Sequence, residues 1–351
     1  MISFRNLTGQ PIPTAAVWLL TDIAEAKGRA QLYARQSPHV LKALREMALI
    51  QSAESSNRIE GVTVDRARLR PLVIGAARPR DRSEEEVQGY RRALDLIHGS
   101  WARLTVTPRT IRRLHALCMA GSGDAGRYKQ IDNEIVELRP GAPPLVRFRP
   151  TPANETPAAI DELCRAYRAA IEQRVVPDLV AVAALTLDFL CVHPFRDGNG
   201  RISRLLTLLA LYQRGHEVGR YVSTERLIED SREDYYDALY RSWEGWHSGR
   251  HDLLPWLGYF LSIVRRAYLG FEERAGDVRA PRGAKTRLVL DAVERFGTPF
   301  AIAELERKCP GVSRDMVRRV LRDLKAQGAV SVTGHGPGAR WSRRGTTPKK
   351  G

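Results

Sequence analysis

The run His193-Pro194-Phe195-Arg196-Asp197-Gly198-Asn199-Gly200-Arg201-Ile202-Ser203-Arg204 decides how this chain is read. It lies between two apolar stretches with helical spacing, 179–192 and 202–214, and so forms the turn of a buried helix–loop–helix. Gly198 and Gly200 admit backbone conformations closed to other residues and let a ligand approach the main chain. Their amides, with the N-terminus of the following helix, make an anion site, to which Asn199 can add a side-chain donor. Arg201 and Arg204 are three apart, hence neighbours on one helix face. Two guanidinium forks beside a glycine nest suit a polyphosphate better than a lone carboxylate. Asp197 offers a hard oxygen for Mg²⁺, which takes one or two carboxylates plus phosphate oxygens. His193 is the one side chain in the run that takes a proton near neutral pH, and Phe195 reads as an apolar anchor for the loop.

Working outward, the segments 15–28, 40–52, 84–99, 108–120, 158–173, 232–248 and 254–271 also carry helical periodicity. Thr107 before Pro108 is an N-cap with proline at the first helical position. Segments 130–138 and 145–149 flank Arg139-Pro-Gly-Ala-Pro-Pro and read as a β-hairpin with a long turn. The chain is therefore mainly α. It has 351 residues, 43% of them hydrophobic and 27% charged, which is enough for a packed core. Its net charge of +16 calls for a polyanionic partner or a phosphate-rich ligand. Nothing approaches the roughly 18 apolar residues of a membrane span, and no secretory pattern opens the chain. Cys118, Cys164, Cys191 and Cys309 are scattered without a CxxC pair, which argues against zinc and disulfides and fits a reducing cytoplasm.

The twelve-residue run resembles the signature of the Fic family, His-Pro-Phe-x-(Asp/Glu)-Gly-Asn-Gly-(Arg/Lys)-x-x-Arg, at each defined position. The resemblance implies a helical Fic-type bundle and transfer of AMP from ATP to a hydroxyl of a target protein. It implies that His193 is the general base and that Asp197 holds the Mg²⁺ between the α- and β-phosphates. Gly198, Asn199 and Gly200 would cradle the phosphates with help from Arg201, and Arg204 would take the γ-phosphate. By the same resemblance Ser56 and Glu60, followed by Gly61, match an inhibitory helix at about 45–61, with Glu60 pairing with Arg204. Glu60 would also position a water for the reverse reaction, de-AMPylation, which some relatives perform. The hairpin at 130–149 matches the flap on which an extended target segment docks. Tyr235 and Tyr236 match residues that flank adenine, with Tyr236 preferred. Relatives also suggest a homodimer.

The chain divides into an N-terminal helical region (1–100), a catalytic core (101–273), a linker (274–285), a basic domain (286–344) and a basic tail (345–351). From position 281 onward there are 16 Lys and Arg against 6 Asp and Glu, a net +10. Helices at 286–296, 302–308 and 314–327, the last capped by Ser313 and ended by Gly328, precede strands at 330–333 and 339–341. This order resembles a winged helix-turn-helix. On the third helix Arg314, Arg318, Arg322 and Lys325 form a basic stripe opposite an apolar stripe of Met316, Val317, Val320, Leu321 and Leu324, as a DNA-reading helix would. Arg340, Arg343 and Arg344 add charge at the wing. Two other functions fit the same residues: a DNA-binding regulator whose core senses or self-modifies with nucleotide, and a transferase using a different donor.

Overall fold

A computed structural model describes residues 1–7, 11–34, 38–137, 143–277, 284–309, 312–334 and 339–343. They form two compact units, Met1–Ala275 and Gly276–Gly351. The first contains α1 (Ile2–Asn6), α2 (Thr14–Ala34), α3 (Pro38–Ile59), α4 (Arg66–Val73), α5 (Arg82–Ser100) and α6 (Pro108–Cys118). A hairpin of β1 (Ile135–Glu137) and β2 (Leu145–Phe148) follows, then α7 (Thr156–Glu172), α8 (Asp178–Val192), α9 (Asn199–Gln213), α10 (Thr224–Glu229), α11 (Arg232–Trp243) and α12 (Leu254–Asp277). No helix among the described residues is long and apolar enough to cross a membrane.

The centre is α8. Every residue from Leu179 to Val192 is buried, because this helix is apolar all round and needs neighbours on every side. It packs against α7, α9, α1 and α11, while α9 in turn touches α3, α5 and α6. Local capping fixes where the surrounding helices begin. The Asp81 carboxylate accepts from Glu84 N (2.9 Å) to start α5. Thr107 Oγ1 accepts from Thr110 N (3.2 Å) to start α6, as the Thr-Pro pair predicts. The corner between α8 and α9 is thus held by long, buried helices on both sides.

Several boundaries differ from the sequence reading. Helix α3 continues seven residues beyond 52, through Ser55, Ser56 and Asn57, all fully buried although polar. Hydrophobic periodicity is blind to such a turn. Helices α1, α4 and α10 are too short to show a period, and α4 carries Pro71 in its last turn. The segment 232–248 is broken after Trp243 by Gly245 (φ +71°), beyond which only a 3₁₀ turn remains. Helix α12 extends past 271 into the expected linker, to Asp277.

The second unit comprises α13 (Ala284–Glu294), α14 (Ile302–Lys308), α15 (Arg314–Ala326) and a hairpin of β3 (Val330–Thr333) and β4 (Arg340–Arg343). Val289, Phe300, Leu305, Val317, Leu321 and Trp341 share its core. Phe300 pairs with Trp341 through two backbone hydrogen bonds of 2.9 and 2.8 Å, adding a third extended segment beside the hairpin. Ser313 stands at the N-cap of α15 with extended backbone, but its side chain makes no capping bond. The turn at 310–311, the hairpin tips at 138–142 and 335–338, the linker core at 278–283 and the tail with Arg344 lie outside the described residues.

Candidate active site

His193 ends α8 in the left-handed region (φ 49°, ψ 61°), a conformation that costs a non-glycine residue about 1–2 kcal/mol. Its Nδ1 lies 3.2 Å from Leu190 O. A carbonyl only accepts, so Nδ1 carries the proton and Nε2 keeps a lone pair. Burial, with a contribution from the Lys129 ammonium, pulls the imidazole pKa down to about 4, so the ring is neutral at physiological pH.

The loop after His193 is stiff. Asn199 accepts from Phe195 N (2.9 Å) and donates to Phe195 O (2.7 Å), closing the turn on itself. The Asn199 side chain thus braces the loop with one of its two N–H donors. Phe195 is fully buried, with its ring stacked on His115 at 3.7 Å. His115 accepts from Gly126 N at Nδ1 (2.8 Å) and donates from Nε2 to Asp197 O (3.1 Å). No sequence motif singles out His115. Gly198 has φ +80°, and a Cβ there would meet Met119 Sδ at 3.0 Å.

The carboxylate of Asp197 is 59% exposed and faces outward from this fixed turn. Among the described residues no group of three or more His, Cys, Asp or Glu could form a metal cage. One exposed carboxylate fits a Mg²⁺ that arrives with phosphate oxygens and keeps several waters.

Arg201 is 1% exposed and held on three sides. It donates to Glu86 of α5, to Asn57 Oδ1 of α3 (3.3 Å) and weakly to Asp197 Oδ1 (3.4 Å). Arg204 is 6% exposed. It donates from Nε to Ser56 Oγ (2.9 Å) and from Nη2 to Ser56 O (2.9 Å) and Glu60 Oε1 (2.8 Å). Its Nη1 is buried without a partner. A Cβ at position 200 would collide with Glu60 Oε1 and come within 3.2 Å of this Nη1. The absence of that Cβ is what lets a carboxylate settle against the start of α9, where a helix attracts negative charge. Glu60 follows α3 directly, and Gly61 (φ +82°) turns the chain away.

Helix α3 is pinned in this position. The buried Glu225 carboxylate accepts from Ser52 Oγ (2.7 Å) and Tyr90 Oη (2.9 Å), and Arg58 pairs with Glu229 (3.1 Å). The tyrosines separate by burial. Tyr236 is half-buried, with Arg232 over its ring, and burial followed by the Glu60 carboxylate raises its hydroxyl pKa. Tyr235 is 3% exposed and packs edge-on against Trp256 and Tyr259. The β1–β2 hairpin pairs Ile135 with Phe148 and Glu137 with Leu145. Its base is tied down where His247 Nε2 meets Arg149 O (2.7 Å).

In the second unit Arg314, Arg318, Arg322 and Lys325 are all exposed on α15, opposite buried Val317, Val320 and Leu321. Arg340 and Arg343 are engaged within the unit, with Glu304 (3.1 Å) and Glu294 O (2.8 Å).

Residues 105–211 match the model of the Fic/DOC family. No curated protein matches the chain. Solved structures of similar fold include a Fic family protein from Desulfovibrio desulfuricans G20, 22% identical with a TM-score of 0.61, covering 97% of this chain and 99% of that one. A Fic domain containing signaling protein from Bacteroides thetaiotaomicron VPI-5482 is 20% identical (TM-score 0.61; 73% and 98% covered). Fic-1 from C. elegans is 17% identical (TM-score 0.58; 76% and 73% covered). The chain thus carries a Fic/DOC-family domain, built around the α8–α9 corner.

Proposed function

We propose that the protein transfers AMP from ATP to a hydroxyl group of a target protein, or of itself, and that Glu60 restrains it. The observation that carries this reading is the buried, unpartnered Nη1 of Arg204 beside Gly200, with the Glu60 carboxylate already resting where an anion belongs. The terminal phosphate of ATP is the natural competitor for that place. Asp197 would hold a Mg²⁺, which would supply positive charge to the phosphates. The incoming hydroxyl oxygen forms a bond to the α-phosphorus while His193 Nε2 takes its proton. The bond from that phosphorus to the α–β bridging oxygen breaks, and pyrophosphate leaves with the electron pair. Positioning and charge stabilisation supply most of the rate in such transfers.

The test uses Glu60→Gly with ATP labelled at either the α- or the γ-phosphate. Label from the α position should enter protein and label from the γ position should not, and Glu60→Gly/His193→Ala should take up neither. Uptake of γ-label would instead indicate kinase-like phosphate transfer.

A second role rests on the basic stripe of α15. We infer that the C-terminal unit is a winged helix-turn-helix that docks this helix on DNA. About five to eight phosphate contacts would give log–log salt slopes of roughly −4 to −7 in a mobility-shift titration. A flat salt response would leave the unit as a protein-docking module. ATP-dependent DNA binding would favour a regulator that uses its nucleotide site as a sensor.

A further inference from the structure

The residues between α6 and β1 bind the His loop through a separate set of hydrogen bonds. Lys129 is 4% exposed. Its backbone N–H donates to Pro194 O (2.9 Å), and its ammonium donates to Val192 O (3.3 Å) and Asn133 Oδ1 (2.8 Å). The Asn133 amide donates to Phe195 O (3.1 Å). The carbonyls of Val192, Pro194 and Phe195, which bracket His193, are therefore all taken by this one five-residue segment. Two of those bonds need the particular side chains Lys129 and Asn133. Val192 O also belongs to the last turn of α8, where carbonyls lack helical partners and a cation is favoured.

We propose that Lys129, with Asn133, is a positioning residue for His193: the pair holds the histidine in its left-handed backbone conformation and keeps a fixed positive charge beside the imidazole. The inference rests on the reaction proposed above, in which His193 must be neutral to accept a proton. A flexible loop would let His193 relax to an ordinary backbone conformation and lose its aim. The charged groups facing the imidazole come from three places: Lys129 at the base of the hairpin, Glu60 after α3, and Asp197 in the loop itself. The two carboxylates favour the protonated ring, and Lys129 is the cation that opposes them. Burial brings the Lys129 ammonium down to about 8, against a smaller opposing pull from Asp132, so it is still charged at neutral pH. The same segment leads directly into β1, which links the strand expected to meet the target to the base that would activate it.

The experiment follows the His193 imidazole resonance by NMR titration in Glu60→Gly, Glu60→Gly/Lys129→Met and Glu60→Gly/Lys129→Arg, alongside AMP transfer as a function of pH. Loss of the ammonium should move the His193 titration and the acid limb of kcat/KM to higher pH. It should lower kcat about tenfold with KM for ATP within about twofold, and Lys129→Arg should restore most of both. An unmoved His193 titration in Lys129→Met overturns the proposal, whatever the transfer assay reads. Should that variant fail to fold, Lys129→Gln serves the same titration, with the same outcomes. Absence of transfer in the Glu60→Gly parent would count against the proposed reaction and leaves the NMR comparison to decide the role of Lys129.

Discussion

Arg201 and Arg204 stand one turn apart on α9, both buried, yet their surroundings differ in kind. Arg201 is fixed by Glu86 and Asn57, which sit inside helices, and its one exposed partner, Asp197, is only weakly engaged. Arg204 is held by Ser56 and by Glu60, a carboxylate 30% exposed that lies just past the end of a helix. Each arginine keeps one buried nitrogen without a partner, Nε in Arg201 and Nη1 in Arg204, and only the latter lies against Gly200 and Glu60. On the proposed reading the contacts of Arg201 persist, and the Glu60 contact of Arg204 gives way to a phosphate. A buried guanidinium stays only where its charge is compensated, so an exchangeable partner implies a replacement anion.

The contrast is broken or sharpened most strongly at the two glutamates. Glu86→Gln leaves a buried Arg201 without its main counter-charge and should destabilise the first unit by about 3 kcal/mol, read from urea unfolding. Glu60→Gly should cost about 1 kcal/mol, because its carboxylate is partly solvated and water can enter. Comparable losses would mean that both arginines are scaffold. Ser56→Ala removes the acceptor of Arg204 Nε, and a bond to a charged group is worth about 1.5–3 kcal/mol. The carbonyl of Ser56 remains as an acceptor, so the lower end is expected, together with weaker retention of Glu60 and some gain of transfer.

Acidity provides a further comparison. His98, His193 and His216 are each held neutral by burial, with pKa values near 4 against about 6.5 when unfolded. Between those values the unfolded chain binds more protons than the folded one, so stability is full above pH 6.5 and falls as pH drops toward 4. Thermal melting across pH 4–7 checks this. His193→Phe should flatten part of the slope, and His98→Phe a comparable part, because the effect is one of burial rather than of catalysis.

The corner itself was legible because its chemistry is contiguous: glycines, carboxylate, arginines and histidine fall within twelve residues of one turn. What holds the corner was not. Glu86 sits in the acidic run Glu84-Glu85-Glu86, yet Glu84 is buried on Arg68, and Glu86, only partly exposed, pairs with Arg201. His115, Lys129 and Asn133 are single polar residues whose contacts with the corner reach partners more than sixty positions away. The polar end of α3 carries no hydrophobic period, since its buried face is matched to guanidinium groups instead of to apolar side chains. Asn199 shows the same limit: its residue type announces a donor, while its closure of the turn on Phe195 depends on the fold.

The central claim is that a carboxylate occupies the place of a phosphate. The direct measurement is the initial rate at which label from α-labelled ATP enters protein, with wild type and Glu60→Gly compared at equal concentration in one lysate. Release of Arg204 should raise that rate tenfold or more, the equivalent of about 1.4 kcal/mol of restored phosphate binding. Equal rates in two folded proteins would show that Glu60 is an ordinary partner of Arg204 and that the pocket is not restrained by it.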